Sequence, residues 1–536
     1  MKKKIAIIIT ACILISSLVL PCYANTDVED PSKQQLYTFL DKTVNALVGG
    51  IAAMIKTPYS WKDKKDFKSE NFYPGYSKDE FIDEPADNAA WSLGYANASL
   101  LTGKEVGGGD YYVGGSLSVT KKLATKQHDD QKVRTVAISD GRGVTIFSVL
   151  DAYGLANSDV RAIRGEFEKW AEKEGIKLTA VNISVLHQHS CVDTFGMNGD
   201  IVSALFLSSI KSLLGIKLPS GQNPEYMDHL YDVTIGSMKD AVKNMETGTL
   251  YYGKVDVKEY IYDKRDPQVF ENNMNRFRFV PDNAESKETW IANCGIHCVG
   301  HGAAGTELTG DYPYYMEEYI NKNDNANLLY IEGAELALTL ETDNIKPDAT
   351  TVEKVGEDCA TLVEYGYTIA KKLESITPDD ETVVEPILNI AFKEVWVEIE
   401  NNILVLAAKG GLLVNNVAKD GIGKYAILTE VGYAEFGKGI AVPIIPGELA
   451  PEIAFGGAND GFIAWNDTKW EIPAFNELCK DKQLIVFGLT NDQIGYLINE
   501  NNWHSYFTEN EEIVSCGKSA ATTIANTYVD LYKEYN

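Results

Sequence analysis

Two apolar runs, each ending in a histidine motif, constrain this chain more than any other feature. Leu178 to Leu186 delivers His187-Gln188-His189-Ser190, and Trp290 to Ile296 delivers His297-Cys298-Val299-Gly300-His301. The chain has 7 histidines in 536 residues, and four of them fall in these two segments. Runs of this length and apolar content predict strands, and in an extended strand residues i and i+2 point to one face. His187 and His189 are therefore expected to converge, and converging imidazoles suit a divalent metal, zinc above all. In α/β sheets the carboxyl end of a strand is where ligands bind. Both motifs stand at such an end, so the working expectation is metal-dependent hydrolytic chemistry.

The N-terminus reads as a secretory signal over residues 1–24. Lys2, Lys3 and Lys4 precede a nearly unbroken apolar stretch from Ile5 to Leu20, which Pro21 breaks before a small-residue cleavage site at Ala24. That stretch is shorter than the ~20 residues a spanning helix needs. Ile9-Thr10-Ala11-Cys12 is lipobox-like but lies too early in the apolar run. Export with cleavage is expected, to the outside or to a bacterial cell envelope, with an uncleaved anchor as the alternative. No later stretch is long enough to cross a membrane. The formal net charge of −28 excludes nucleic acid as a partner, because phosphates demand basic patches. Loss of the signal removes Cys12 and Cys22 and leaves Cys191, Cys294, Cys298, Cys359, Cys479 and Cys516. That is too sparse for a disulfide scaffold.

Residues 25–90 form an N-terminal extension: a polar Asn25–Lys33 tail expected to be disordered, a helix over Leu36 to Ile55, and a charged, aromatic loop from Lys62 to Asp87. The regular part begins near Trp91 and runs to 536 as one elaborated catalytic domain, without low complexity, repeats or a long linker. The fold class expected is α/β, mixed β-sheets flanked by helices. Arg134 to Ile138 and Val144 to Leu150 flank Ser139-Asp140-Gly141-Arg142-Gly143, a hairpin signal. A helix follows, capped by Asn157 or Ser158 and stopped at Gly175. Asn223-Pro224-Glu225 opens another, and Asp311 with Pro313 opens a third after a loop containing Gly300, Gly302 and Gly305. Ile440 to Ile445 runs into Pro446-Gly447-Glu448, and Leu484 to Phe487 runs into Gly488-Leu489-Thr490-Asn491-Asp492.

A catalytic zinc keeps about three protein ligands and one open position. His187 and His297 supply two imidazoles, and Glu448 in its turn could supply a carboxylate. Of the rest, His301 is expected to be a loop histidine, His128, His229 and His504 ordinary surface or helix residues, and Cys294 and Cys298 small buried hydrophobes.

The segment His187-Gln188-His189-Ser190-Cys191-Val192-Asp193-Thr194-Phe195-Gly196 resembles the His-Thr-His-Ser-Gly-Pro motif of the neutral/alkaline (non-lysosomal) ceramidase family, especially its shorter bacterial relatives. Further echoes follow in order: Leu150 to Leu155, Asn293 to His297 with Gly310-Asp311-Tyr312-Pro313, the turn ending at Glu448, and Gly488 to Tyr496. The resemblance covers roughly Trp91 to the C-terminus, and the immunoglobulin-like C-terminal domain of longer ceramidases is expected to be absent. It implies one zinc ion per chain, held by His187, His297, Glu448 and Tyr496. It also implies that His189 stands beside the metal to move protons or bind the amide, and that a substrate-contacting basic residue falls on Lys264 or Arg265. The chain departs from the family at Cys191-Val192 and at Cys298. The family's Gly-Asp-Val-Ser/Asn-Pro loop, which carries a catalytic serine, falls by register on Gly333 to Thr339, with Thr339 as the positional counterpart.

The resemblance thus implies an exported zinc amidohydrolase acting on an N-acyl amide or lipid, with ceramide as the family prototype and peripheral contact with membrane lipid. One alternative is a non-catalytic lipid- or envelope-binding protein with a structural metal. Another is a thiol-assisted hydrolase using Cys191 or Cys298, which would need a depressed thiol pKa.

Overall fold

A computed structural model describes residues 31–536 apart from 59, 116–120, 200–221, 303, 304, 412, 414, 460–464, 466, 467 and 507–510. The signal expected over 1–24, and residues 25–30 of the polar tail, fall outside the described residues. The chain opens with helix α1 (Pro31–Met54), whose Val48, Ile51 and Ala52 are buried. Among the described residues no helix is long and apolar enough to cross a membrane.

The strand-rich runs then pair into one large mixed sheet. β1 (Trp91–Ser99), β2 (Lys132–Ser139) and β3 (Val144–Leu150) are antiparallel neighbours. The expected hairpin is β2–β3, which turns at Gly141 with φ +97°. Helix α2 (Asn157–Glu174) crosses over to β4 (Leu178–Val185), which lies parallel to β3. Gly175 ends α2 in the left-handed conformation, φ 72°, as a C-terminal glycine should. The N-cap differs from expectation. It is Ala156, and the carboxylate of Asp492 accepts the Asn157 backbone N–H at 2.9 Å. A distant acid thus serves the helix end that a local side chain usually serves.

Helix α3 (Pro224–Lys243) opens as expected, with Asn223 accepting the Tyr226 N–H. β5 (Glu246–Asp256), β6 (Asn273–Pro281) and β7 (Thr289–Cys294) extend the sheet, and helix α4 (Asp311–Asn323) crosses to β8 (Asn327–Glu332), parallel to β7. The sheet order is β8-β7-β6-β5-β1-β2-β3-β4, with Thr382–Val384 alongside β5. A strand–helix–strand unit therefore sits at each edge, and each histidine motif leaves one of those units.

The two edges do not stay apart. β8 curls back toward β2, β3 and β4, and the segment after Phe487 bridges the gap. Gly488 N–H donates to Glu332 O of β8 (2.9 Å). Val185 N–H donates to Leu489 O (3.2 Å), and Asn491 N–H to Ile183 O of β4 (2.7 Å). Only a glycine fits at 488, where an added Cβ would lie 2.2 Å from Gly333 O. This closure brings the His187 and His297 ends of the sheet together.

Helix α5 (Glu357–Glu374) precedes a second sheet built from β9 (Leu388–Glu398), β10 (Tyr425–Phe436) and β11 (Ile440–Ile444), with Val417–Lys419 and Gln483–Leu484 on its margins. The two sheets meet through aromatic rings. Phe436 of β10 packs on Phe277 (5.0 Å between centroids), Phe147 (6.2 Å) and Trp91 (6.3 Å) of the first sheet. Truncating such a ring to alanine costs about 3–5 kcal/mol. Buried charge joins the layers too: Arg164 of α2 pairs with Glu430 of β10 at 2.7 Å. Two short strands, β12 (Glu448–Leu449) and β13 (Tyr496–Leu497), lie parallel with Glu448 opposite Tyr496. Helix α6 (Ala520–Tyr535) closes the chain.

Candidate metal centre

β4 ends at Val185, one residue before Leu186, and His187 takes a left-handed φ of 48°. The expectation that His187 and His189 share the face of one extended strand is therefore corrected. They converge because the chain turns. Gln188 N–H donates to Ala152 O (3.2 Å) and His189 N–H to Cys298 O (3.1 Å), so both the segment just after β3 and the second motif shape the bend. A left-handed conformation in a non-glycine residue is costly and persists only where its surroundings hold it. Here the ring is held as well: Nδ1 of His187 donates to Tyr153 O at 2.7 Å, and the Tyr153 ring stacks on it at 4.6 Å. With Nδ1 carrying the proton, Nε2 keeps its lone pair.

His297 is oriented in the same way by a different group. Its Nδ1 pairs with the fully buried Glu335 carboxylate, a partner that fixes the tautomer and the orientation of the ring. The three rings form a triangle, with centroids 4.8 Å (187–189), 4.9 Å (187–297) and 4.8 Å (189–297) apart. Nε2 of His189 lies 3.0 Å from Nε2 of His297. Burial first, then the neighbouring His297, pushes His187 well below the ordinary imidazole value; burial, the two other imidazoles and Lys264 do the same to His189.

Glu448 completes the cluster. Its Oε1 accepts from Gln493 Nε2 at 2.9 Å, while Oε2 is buried without a hydrogen-bond partner. That oxygen faces Nε2 of His187 at 3.4 Å and Nε2 of His297 at 3.7 Å. Burial, followed by repulsion from Glu335, pushes the Glu448 carboxyl well up, while Tyr496 and Gln493 beside it act in the opposite sense. Two buried carboxylates face these imidazoles, and burial favours the neutral form of His187. A buried charge without a counter-charge is expensive, and a divalent cation removes that cost. The 3.4–3.7 Å spacings also sit near the edges of a tetrahedron with bonds of about 2.0–2.2 Å. His187, His189 and His297 form one group able to hold an ion, and His297, Glu335 and Glu448 an overlapping one. The donor set is compatible with a metal ion.

The remaining expected residues are distributed around this cluster. Tyr496 is beside Glu448 through the β12–β13 ladder. Arg265 is buried and committed to Glu512 (3.1 Å), Glu511 (3.4 Å) and Asn502 O (2.6 Å). Lys264 is exposed, and its charge acts on His189. Of the two basic candidates, Lys264 is the one with an electrostatic link to the imidazoles. Thr339 lies half-buried in the short strand Leu338–Leu340, opposite Tyr262. It is Glu335 of the Gly333–Thr339 segment that contacts His297. The six described cysteines are free thiols. Burial pushes Cys191 and Cys298 well above the usual thiol value, with Asp193 and Glu332 adding to it, which argues against a reactive thiolate at either.

Sequence reasoning passed over Glu335, Tyr153 and Gln493. Glu335 had a signal, since its segment was already placed at the site by register. Tyr153 acts through its backbone carbonyl, which no residue type reveals. His128 and His301 are also more than surface and loop histidines, because their rings lie 5.1 Å apart, close to Cys359.

No family model matches the sequence, and no curated protein matches it. Solved structures do. The neutral ceramidase from Pseudomonas aeruginosa matches with a TM-score of 0.63 at 14% identity, over 83% of this chain and 74% of that one. A ceramidase complexed with C2 matches with a TM-score of 0.59 at 14% identity, over 83% of this chain and 75% of that one. At that identity the likeness is one of architecture, and the chain accordingly has the neutral ceramidase fold.

Proposed function

We propose that this protein is an exported zinc-dependent amidohydrolase that cleaves an N-acyl amide, with a ceramide-like lipid as the prototype substrate. The observation that carries this reading is the Glu448 oxygen, buried and without a hydrogen-bond partner, facing two imidazoles whose other nitrogens are held by Tyr153 O and Glu335. His187, His297 and Glu448, with Tyr496 beside them, would hold one zinc ion. When bound there, zinc supplies a nucleophilic water near neutral pH and polarises an acyl carbonyl.

The chain's own groups do the rest. His189 is kept neutral by burial and by its neighbours, so it can take a proton during attack and return it to the leaving amine. Lys264 is exposed and its charge acts on that imidazole, which suits it to a substrate oxygen. Beside His187, Glu448 and Tyr496 opens a narrow cavity of about 60 Å³, walled mainly by apolar residues such as Phe195, Leu413 and Ile427. An acyl chain fits such walls. The exposed Leu36, Phe39, Leu47 and Met54 of α1 offer an apolar stripe for peripheral lipid contact. Phe39→Glu should weaken flotation with phosphatidylcholine vesicles, and unchanged flotation removes that element.

The decisive experiment pairs zinc analysis with a panel of N-acyl amides. Zinc lost on His187→Ala, together with cleavage abolished by chelation and restored by zinc, supports the reading. Zinc retained by the protein with no turnover on any amide overturns catalysis and leaves a lipid- or envelope-binding protein on this scaffold.

A further inference from the structure

A second cluster of metal-ligating side chains lies outside the site above. Lys126–Gln127 pairs in parallel with Glu307–Leu308, and His128 N–H extends the pairing by donating to Leu308 O at 2.8 Å. This puts the His128 ring against the Glu307 carboxylate, with which its Nε2 pairs. The end of the second histidine motif brings His301 to the same carboxylate, Nε2 to Oε2 at 3.3 Å. From a third direction, the first turn of α5 presents Cys359. Its sulfur lies 3.4 Å from Nδ1 and 3.5 Å from Nε2 of His128, and 3.5 Å from Nδ1 of His301. One atom each of His128, His301 and Cys359 thus lie within 4.8 Å of one another, and the Glu307 carboxylate stands against both imidazoles.

We propose that His128, Glu307, His301 and Cys359 bind a second zinc ion, in a closed site that fastens the His301 turn and the Lys126–His128 edge to α5. The donor chemistry is specific. Two imidazoles, a thiol and a carboxylate suit zinc, and four protein ligands leave no open position, which is the mark of a structural site. The sulfur–nitrogen spacing agrees, since bonds of about 2.0–2.3 Å require ligand-to-ligand edges of roughly 3.3–3.8 Å and the three sulfur–nitrogen distances fall in that range. Glu307 sits closer to His128 and meets the other nitrogen of His301, so its carboxylate shifts to join as the fourth ligand. The cluster is shielded on three sides: Cys359 is 4% exposed, and the side chains of His128 and His301 are 5% and 12% exposed. Glu307 is the outer ligand, 35% exposed, and Lys126 approaches it at 3.9 Å from the solvent side. Binding releases the thiol proton as the Zn–S bond forms, with no change of oxidation state. The site also bears on the first cluster, because His301 is four residues after His297 and the backbone of Cys298 accepts the His189 N–H.

The test uses the full chain loaded with cobalt(II) in place of zinc. Cobalt bound by Cys359 gives a thiolate-to-metal charge-transfer band, and the His187 cluster has no thiol among its donors. The band is expected in the wild type and in His187→Ala, and it should vanish in Cys359→Ser. Zinc analysis should show about one equivalent lost from Cys359→Ser and from His301→Ala, whatever happens to zinc at His187. A cobalt-loaded wild type without the band overturns the proposal, and that measurement needs no variant to fold. Zinc content untouched by both substitutions also overturns it.

Discussion

The two histidine clusters of this chain use similar ligands in opposite settings. The His187–His189–His297 cluster is enclosed, its outer nitrogens are held by a carbonyl and a carboxylate, and an apolar cavity opens beside it. The His128–His301–Cys359 cluster lies nearer the rim, its ligands face one another, and its fourth donor is partly in solvent. Orienting partners and a neighbouring cavity are what a reaction centre needs, because they fix the donor atoms and leave room for a substrate. Mutually facing donors that consume every coordination position are what a clasp needs. The first cluster should therefore govern turnover and the second should govern stability.

The largest effect that can break this contrast comes from His297→Ala. It removes a proposed ligand and unpairs Glu335, so amide cleavage should fall by at least about 10³-fold, with loss of one zinc. Turnover within tenfold of wild type would place the chemistry elsewhere. Glu335→Gln is next. It keeps the shape but weakens the partner of His297, and zinc affinity measured by chelator competition should fall about 10–100-fold. An unchanged affinity would demote Glu335 to a packing residue. Cys359→Ser should act the other way: turnover stays within about threefold, while the thermal midpoint falls by several degrees as the clasp's binding energy is lost. A large loss of turnover with an unchanged midpoint would reverse the roles assigned to the two clusters.

The contrast also shows what a sequence can disclose. His187 and His297 could be found because each ends an apolar run and because the surrounding motif has a family likeness. The strand positions held for the same reason: Val144 to Leu150 is β3 to the residue, and Leu178 to Leu186 is β4 with its last residue in the turn. What stayed hidden depends on closure. Nothing local says that Gly488 to Asn491 will span two sheet edges, or that this span brings residues 187 and 297 together. The left-handed turn at His187 is imposed by partners at Ala152 and Cys298. His128 and Cys359 are 231 positions apart and lie in unremarkable polar surroundings, so neither had a pattern to betray it.

The smallest predicted effect concerns carboxylates drawn wholly or partly out of water, the half-buried Asp41 among them, that have no imidazole opposite them. At Glu448 the compensating partner would be a cation; at Asp41 it is a proton. Asp41 of α1 accepts from Ser505 Oγ (2.8 Å) and the Tyr506 N–H (3.2 Å), and Glu512 adds repulsion, yet burial prevails and its pKa rises to about 7. The folded state thus binds this proton more tightly than the unfolded chain, in which an aspartate titrates near 3.9. The stabilising contribution is complete below about pH 4 and is lost as pH rises toward 7, at a slope of at most about 1.4 kcal/mol per pH unit. Asp263, Asp311 and Asp492 are raised to about 7 as well, so the wild type should show a composite slope from which Asp41→Asn subtracts one share. Urea unfolding of both proteins between pH 4 and 8 reads this directly. The variant should lose less stability across that window than the wild type, and parallel curves would mean that Asp41 stays ionised in the fold, so that enclosure alone does not decide how a carboxylate in this protein is balanced.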